Sequence, residues 1–172
     1  MKNWTNLHNH TVFSMLDGHG DIEQYLTRAK SLGMRGLATT DHGNIHSWLD
    51  FYDAGTSIGV KPILGSEFYQ ARKTRFDRDP EERSGPSQNE WEQRGPYHIT
   101  ILAKNKVGYN NIIKISSRSF LEGYYVKPRI DHDLIAEFNT KDKMKWYYNL
   151  TNILATETQT TENKLELIKT NI

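Results

Sequence analysis

A chain of 172 residues with a net charge of +1 and 36% hydrophobic residues has room for one domain or a part of a larger one. That near-neutral charge excludes a global electrostatic pull toward nucleic acid or membrane. The absence of cysteine excludes disulfides and thiolate metal sites and leaves nitrogen and oxygen ligands.

No apolar run approaches the roughly 18 residues of a membrane span, and Met1 to Thr5 lacks the apolar core of a signal peptide. A cytoplasmic protein is the expectation.

Trp4 to His8 reads as a short first strand, running into Leu7-His8-Asn9-His10-Thr11-Val12-Phe13-Ser14-Met15-Leu16-Asp17-Gly18. Residues two apart on a strand share a face, so His8 and His10 can present two imidazoles side by side. Asp17 can return from the following loop as an oxygen ligand. Asp21 is placed to cap a helix in which Ile22, Tyr25, Leu26, Ala29 and Leu32 recur at helical spacing, and Gly33 stops it.

Arg35 to Thr40 reads as a second strand, ending in Asp41-His42-Gly43-Asn44. A helix is expected from about Asn44 to Ile58, closed by Gly59. Val60 to Tyr69 follows as a third strand carrying Glu67. The alternation predicts parallel strands joined by right-handed crossovers.

Residues 71–96 break this rhythm. Six basic and six acidic side chains are interspersed with Pro80, Gly85, Pro86, Gly95 and Pro96, which reads as a solvated loop. Arg72, Lys73 and Arg75, with Arg78, are candidate nucleic-acid contacts within it. The balanced charge argues against strong phosphate attraction by the loop as a whole.

Tyr97 to Ala103 is a fourth strand carrying His98, and Val107 to Phe120 a helix. Gly123 to Ile130 reads as an extended connection, and Asp131 as the cap of a short helix through Glu137. From Thr140 onward Thr, Asn, Lys, Glu and Ile dominate, with one weak helical stripe at Leu165, Leu167 and Ile168. This tail, residues 139–172, is expected to lie outside the domain of residues 1–138 and to be mobile or loosely helical.

Four apolar runs with His, Asp or Glu at or near one end describe a shared site at the rim of a parallel sheet or barrel. The motifs H-x-H-T-x-x-S-x-x-D-G, T-D-H-G-N and P-I-L-G-S-E-F, with Tyr97-His98-Ile99-Thr100-Ile101-Leu102 and Tyr124-Tyr125-Val126-Lys127-Pro128-Arg129-Ile130-Asp131, carry a likeness to a known family. Together they resemble the polymerase-and-histidinol-phosphatase (PHP) domain, in the form that opens the alpha subunit of bacterial replicative DNA polymerases.

The resemblance implies an α/β fold, a partial, distorted (β/α) barrel with metal-type residues at one rim. It implies His8, His10, Asp17, His42, Glu67 and His98 as metal ligands. Asp41 is the candidate catalytic residue, a neighbour that orients or bridges. Two or three divalent ions are implied for an intact site, with zinc, manganese and iron all compatible with these ligands. The chemistry implied is that of a phosphoesterase or 3′–5′ exonuclease, with DNA and other polymerase segments as partners.

The family's further barrel strands, with a Cys or His ligand and a late Asp-x-His pair, have no counterpart in this sequence. Nor are the polymerase palm residues present. Three readings therefore stand: an N-terminal piece of a replicative polymerase subunit, a free-standing metal-dependent phosphoesterase, or a non-catalytic interaction module.

Overall fold

The structure is a computed structural model and describes residues 4–78, 95–138 and 144–148. Its elements in chain order are α1 (Ile22–Ser31), β1 (Gly36–His42), α2 (Trp48–Ile58), β2 (Lys61–Gln70), β3 (Tyr97–Ala103), α3 (Lys106–Leu121), β4 (Arg129–Ile130), α4 (His132–Phe138) and β5 (Met144–Tyr148).

One five-stranded sheet organises the molecule. β2 pairs in parallel with β1, with His42 opposite Glu67. On its other side β2 pairs antiparallel with β3, placing Tyr69 opposite His98. β5 extends the sheet beyond β3, again antiparallel to it. β4 pairs in parallel with the end of β2, Tyr69 opposite Arg129, and so takes over the β1 side where β1 stops.

The expectation of four parallel strands is corrected at β3. Gln70 and Tyr97 are paired neighbours, so the connection 71–96 leaves and re-enters the sheet at the same end. A parallel pair needs a crossover that carries the chain back to the opposite end. Two other expectations also shift. The strand expected at Trp4–His8 is only a bridge between Asn6 and Leu37, fixed by Ala38 N–H donating to the Asn6 carbonyl at 2.9 Å. α2 starts at Trp48, because Asn44 accepts from the His46 N–H at 3.1 Å and holds residues 44–47 in a turn.

The alternation of strand side chains separates core from site. Phe68, Ile99 and Ile101 face α3 and α4 and pack with Trp48, Ile112, Ile115, Ile130 and Leu134. A second cluster joins Ile22, Leu26 and Ala29 of α1 to Phe51 of α2 and to Leu37 and Val60. Fully burying a side chain such as Phe68 or Leu26 stabilises the fold by roughly 1.5–3 kcal/mol. Glu67, Tyr69, His98 and Thr100 occupy the intervening positions and point to the other face.

Local signals set the helix ends. Asp21 precedes α1 in extended geometry, but its side chain makes no capping hydrogen bond. Asn105 does cap α3, accepting from the Val107 and Gly108 N–H groups at 3.0 Å each. Asp131 caps α4 through the Leu134 N–H at 2.9 Å. Gly59 closes α2 in left-handed geometry, φ 80°.

β5 falls inside the segment expected to lie outside the domain, so the sheet does not end at residue 138. Residues 149–172, where the weak helical stripe was read, lie outside the described residues. Among the described residues no helix is long and apolar enough to cross a membrane.

Candidate metal centre

The rim formed by the ends of β1 and β2 and the start of β3 gathers the candidate ligands. Glu67 sits at its centre, 1% exposed. Its Oε2 lies 3.1 Å from His8 Nε2, 3.0 Å from His10 Nε2 and 3.3 Å from His42 Nδ1. Its Oε1 lies 2.9 Å from His98 Nδ1. Asp17 closes the outer side, with Oδ2 2.8 Å from His42 Nε2 and 3.8 Å from His10 Nε2. The His10 and His42 rings stack, centroids 4.2 Å apart at 17°.

All six candidate ligands named from the sequence thus meet in one place. They form three overlapping trios: His8–His10–Glu67, His10–Asp17–His42, and His42–Glu67–His98. In each, the ligand atoms lie within 4.8 Å of one another. His10, His42 and Glu67 each belong to two trios, an arrangement suited to neighbouring ions that share ligands.

The donor set fits divalent metal. An ion about 2.0–2.1 Å from each nitrogen or oxygen ligand separates those ligands by roughly 3.0–3.4 Å. The His8 Nε2 to His10 Nε2 distance is 3.1 Å, and both atoms fall at similar distances from Glu67 Oε2. Two aromatic nitrogens converging on one another and on one carboxylate oxygen match the edges of a coordination polyhedron. His42 Nδ1 points the same way: it is buried and has no hydrogen-bond partner of adequate geometry despite its approach to Glu67. An orphaned buried nitrogen of this kind carries a desolvation cost that a metal bond would remove.

Electrostatics in the metal-free chain follow from the same geometry. Burial alone would raise the Glu67 pKa. The hydrogen bonds from His10, His8 and His98 outweigh it and hold the carboxyl far below the usual range. Burial lowers the His10 pKa, but Glu67, Asp17 and Asp41 more than offset this, and the net shift is upward. For His42, burial and the neighbouring His10 and His98 prevail over Asp17 and Glu67, and the pKa falls.

Asp41 has a different place from the one expected of a catalytic group. It is 1% exposed and its oxygens accept from Thr11 N–H at 2.7 Å, Thr11 Oγ1 at 2.9 and 3.0 Å, Ser14 Oγ at 2.7 Å and Thr39 Oγ1 at 3.2 Å. These bonds clamp the loop 9–17 onto β1. Asp41 therefore holds the loop in place, one side chain removed from the candidate ligands.

Ser14, given no role from the sequence, is the link. Its Oγ lies 3.2 Å from His10 Nδ1 and accepts from the His42 N–H at 3.1 Å. That contact turns His10 Nε2 toward Glu67, as an outer partner does for a ligating imidazole. The signal was present in H-x-H-T-x-x-S, where a hydroxyl four residues after His10 can fold back onto it.

Tyr69 was also missed. Its ring stacks near His42, at 6.0 Å and 12°, and meets His98 edge-on at 5.0 Å. Burial, then the charges of Glu67 and Asp17, raise the pKa of its hydroxyl. Its i+2 relation to Glu67 was the available clue.

The candidate nucleic-acid contacts divide. Arg75 is 6% exposed, with Nη1 2.8 Å from Asp131 Oδ1 and Nε 2.7 Å from Glu122 Oε2. Its guanidinium is committed to the interior, which corrects its reading as a contact on a solvated loop. Arg72 lies over the Tyr97 ring at 5.1 Å and donates to the Gly95 carbonyl at 3.1 Å. Arg72 and Lys73 are both exposed. His132, by contrast with the rim histidines, pairs with Gln70 at 2.9 Å.

DNA polymerase III subunit alpha of Thermus aquaticus is 40% identical over 136 residues, covering 78% of this chain and 10% of that protein. The same subunit of Treponema pallidum is 41% identical over 134 residues, covering 78% and 11%. The chain thus spans about a tenth of the length of the curated relatives it matches. A metal-dependent phosphoesterase candidate from Bifidobacterium adolescentis overlaps 68% of this chain and 34% of its own at 20% identity, with a TM-score of 0.41, too low to bear on the fold. The family model described as "PHP domain" matches residues 6–156, which carries the match past β5 and beyond the boundary expected at residue 138. With nearly its whole length so matched, the chain belongs to the PHP domain family.

Proposed function

We propose that this chain is a PHP-domain portion of a DNA polymerase III alpha subunit, carrying part of a multi-metal site of the phosphoesterase or 3′–5′ exonuclease type. On this reading His8, His10, Asp17, His42, Glu67 and His98 hold two or three ions of zinc, manganese or iron. DNA and the remaining polymerase segments are its partners, and replication in the cytoplasm its setting. The observation that carries the proposal is the buried Glu67 carboxylate, approached on both oxygens by four imidazoles at ligand-like spacing.

Bound divalent ions would supply Lewis acidity toward a phosphoester and acidify a water molecule. The chain's own residues do the rest. Asp41 holds the ligand loop against β1, Ser14 sets the His10 ring, and Glu67 offers one oxygen to each side of the site. The family's further ligands have no match here, so turnover by this chain alone is expected to be slow or absent.

The test is metal analysis of the purified chain, paired with nucleotide release from single-stranded DNA. At least one equivalent of zinc or manganese retained through gel filtration, and lost in Glu67→Gln, is the expected result. A wild-type chain that retains no metal would overturn the metal-site reading. Robust metal-dependent nucleotide release, abolished by His42→Ala, would overturn the expectation of low turnover.

A further inference from the structure

The segment Tyr125–Pro128 belongs to none of the ligand motifs, yet the fold brings it to the metal-type rim. β4 continues the β1 side of β2 past Gly43, so the residues just before β4 arrive beside the turn that carries His42. The contact is close. A Cβ on Gly43 would lie 2.9 Å from Tyr69 Cε2 and 3.0 Å from Pro128 Cγ, and Gly43 itself has φ +60°. Glycine is therefore needed there twice, for its backbone angle and for the approach of Tyr69 and Pro128.

The segment is also strained. Val126 has φ 63°, a region that a β-branched residue occupies only at a cost. The Tyr125 N–H donates to the Lys127 carbonyl at 3.1 Å, which tightens the turn. Pro128 then fixes the chain direction into β4. The product of this geometry is the placement of Lys127, whose Nζ stands 4.4 Å from the Tyr69 ring centroid. Tyr69 in turn makes ring contacts with both His42 and His98.

Lys127 has no carboxylate partner within salt-bridge distance among the described residues, whereas Arg75 and Arg118 in the same half of the molecule are both paired with acids. The side chain is exposed as a whole, yet partial desolvation of the ammonium beside the Tyr69 ring pushes its pKa down, with no acidic neighbour to offset it. A cation fixed over an aromatic ring at the edge of a metal-type site, without a protein counter-ion, suits an anion brought by a ligand.

We propose that Lys127 is a phosphate-positioning residue of the rim site, donating to a phosphoryl oxygen of the phosphoester bound there. The proposal rests on the metal-site reading above and adds to it the group that anchors the substrate. A lysine suits this task as a mobile point charge with three donors, able to follow a phosphoryl oxygen without bidentate geometry.

The test separates the two readings. Manganese affinity and stoichiometry are measured first on the wild-type chain, Lys127→Met and Lys127→Arg. Binding of inorganic phosphate and of the diester dimethyl phosphate to the manganese-loaded proteins is then followed by phosphorus NMR relaxation. Manganese binding is expected to be unchanged in both variants. Affinity for both phosphate probes is expected to fall about tenfold in Lys127→Met and to be largely recovered in Lys127→Arg, the size of a lost charge-assisted hydrogen bond.

Loss for the diester shows that Lys127 reads a backbone-type phosphate. Loss for inorganic phosphate alone assigns it to a terminal or free phosphate. Equal affinity of wild type and Lys127→Met for both probes, with manganese bound in each, overturns this inference and leaves the metal site standing. Absence of manganese binding by the wild type overturns the metal-site reading and this inference with it.

Discussion

Asp41→Ala is the perturbation whose magnitude the structure defines best. The Asp41 carboxylate is buried, and its hydrogen bonds all come from Thr11, Ser14 and Thr39. Ser14 Oγ has alternative company in His10 Nδ1 and the His42 N–H, and Thr39 Oγ1 has Ser47 Oγ at 2.7 Å. The Thr11 N–H has no second acceptor in the described hydrogen bonds, and Thr11 is 0% exposed. Leaving one buried N–H unsatisfied costs about 1–3 kcal/mol. The loss of one further hydroxyl bond adds about 1 kcal/mol. The expected destabilisation is therefore about 2–4 kcal/mol, a large part of the roughly 5–15 kcal/mol available to a small domain. Asp41→Asn keeps one acceptor oxygen and should lose about half as much. Urea unfolding followed by tryptophan fluorescence reads both variants, with the slope unchanged and the midpoint lowered. Metal affinity should fall in both as well, because the loop carrying His10 and Asp17 loses its clamp. An Asp41→Ala chain within about 0.5 kcal/mol of wild type, with unaltered metal affinity, would refute the reasoning that this carboxylate positions the loop.

Three further outcomes follow from the same geometry. Replacing His8 and His10 together by Ala should remove metal binding, because two of the three trios lose a member; unchanged stoichiometry by elemental analysis would reject the assignment. In the metal-free chain, a histidine NMR titration should find His10 above and His42 below the ordinary value of 6.5. The raised His10 contributes stability that is full below pH 6.5 and is lost as pH rises through its folded value. The lowered His42 has the opposite sign, its contribution lost as pH falls below 6.5, and the lowered Glu67 behaves the same way, its contribution full above pH 4.5 and lost progressively as pH falls below that. Metal should bind less tightly as pH falls, since protons compete for the same nitrogens. Arg75→Ala strands the buried Asp131 carboxylate and should cost about 3–5 kcal/mol. A merely exposed, nucleic-acid-facing arginine would cost under about 0.5 kcal/mol, and thermal or urea unfolding separates the two.

The cluster of candidate ligands was legible because its signal is local. His8 and His10 lie two apart, Asp41-His42 ends an apolar strand, and Glu67 and His98 each sit toward one end of a later apolar run. Period-two alternation makes the face of each residue a property of its own strand, and β3 was bounded correctly at Tyr97–Ala103 for that reason. What local signals do not contain is the direction in which a strand returns. β3 is antiparallel because the connection 71–96 comes back to the rim it left, and its mixed charges and prolines describe its solvation, not its path.

The same limit explains the misread residues. Arg75 and Asp131 are 56 positions apart, and only the fold makes one the counter-ion of the other. β5 pairs with β3 across some 45 residues, by register and not by propensity. Asp41 adjoins the candidate ligand His42 in sequence, but whether such a carboxylate faces the site or the loop behind it depends on which donors the fold brings within about 3 Å. The sequence by itself determined which residue types meet at strand ends, and so the family and the chemistry those residues can support. The tertiary structure alone decided which of the charged groups face the site and which are spent on each other, because hydrogen bonds and ion pairs between distant segments form only once apolar burial has fixed the distances between them.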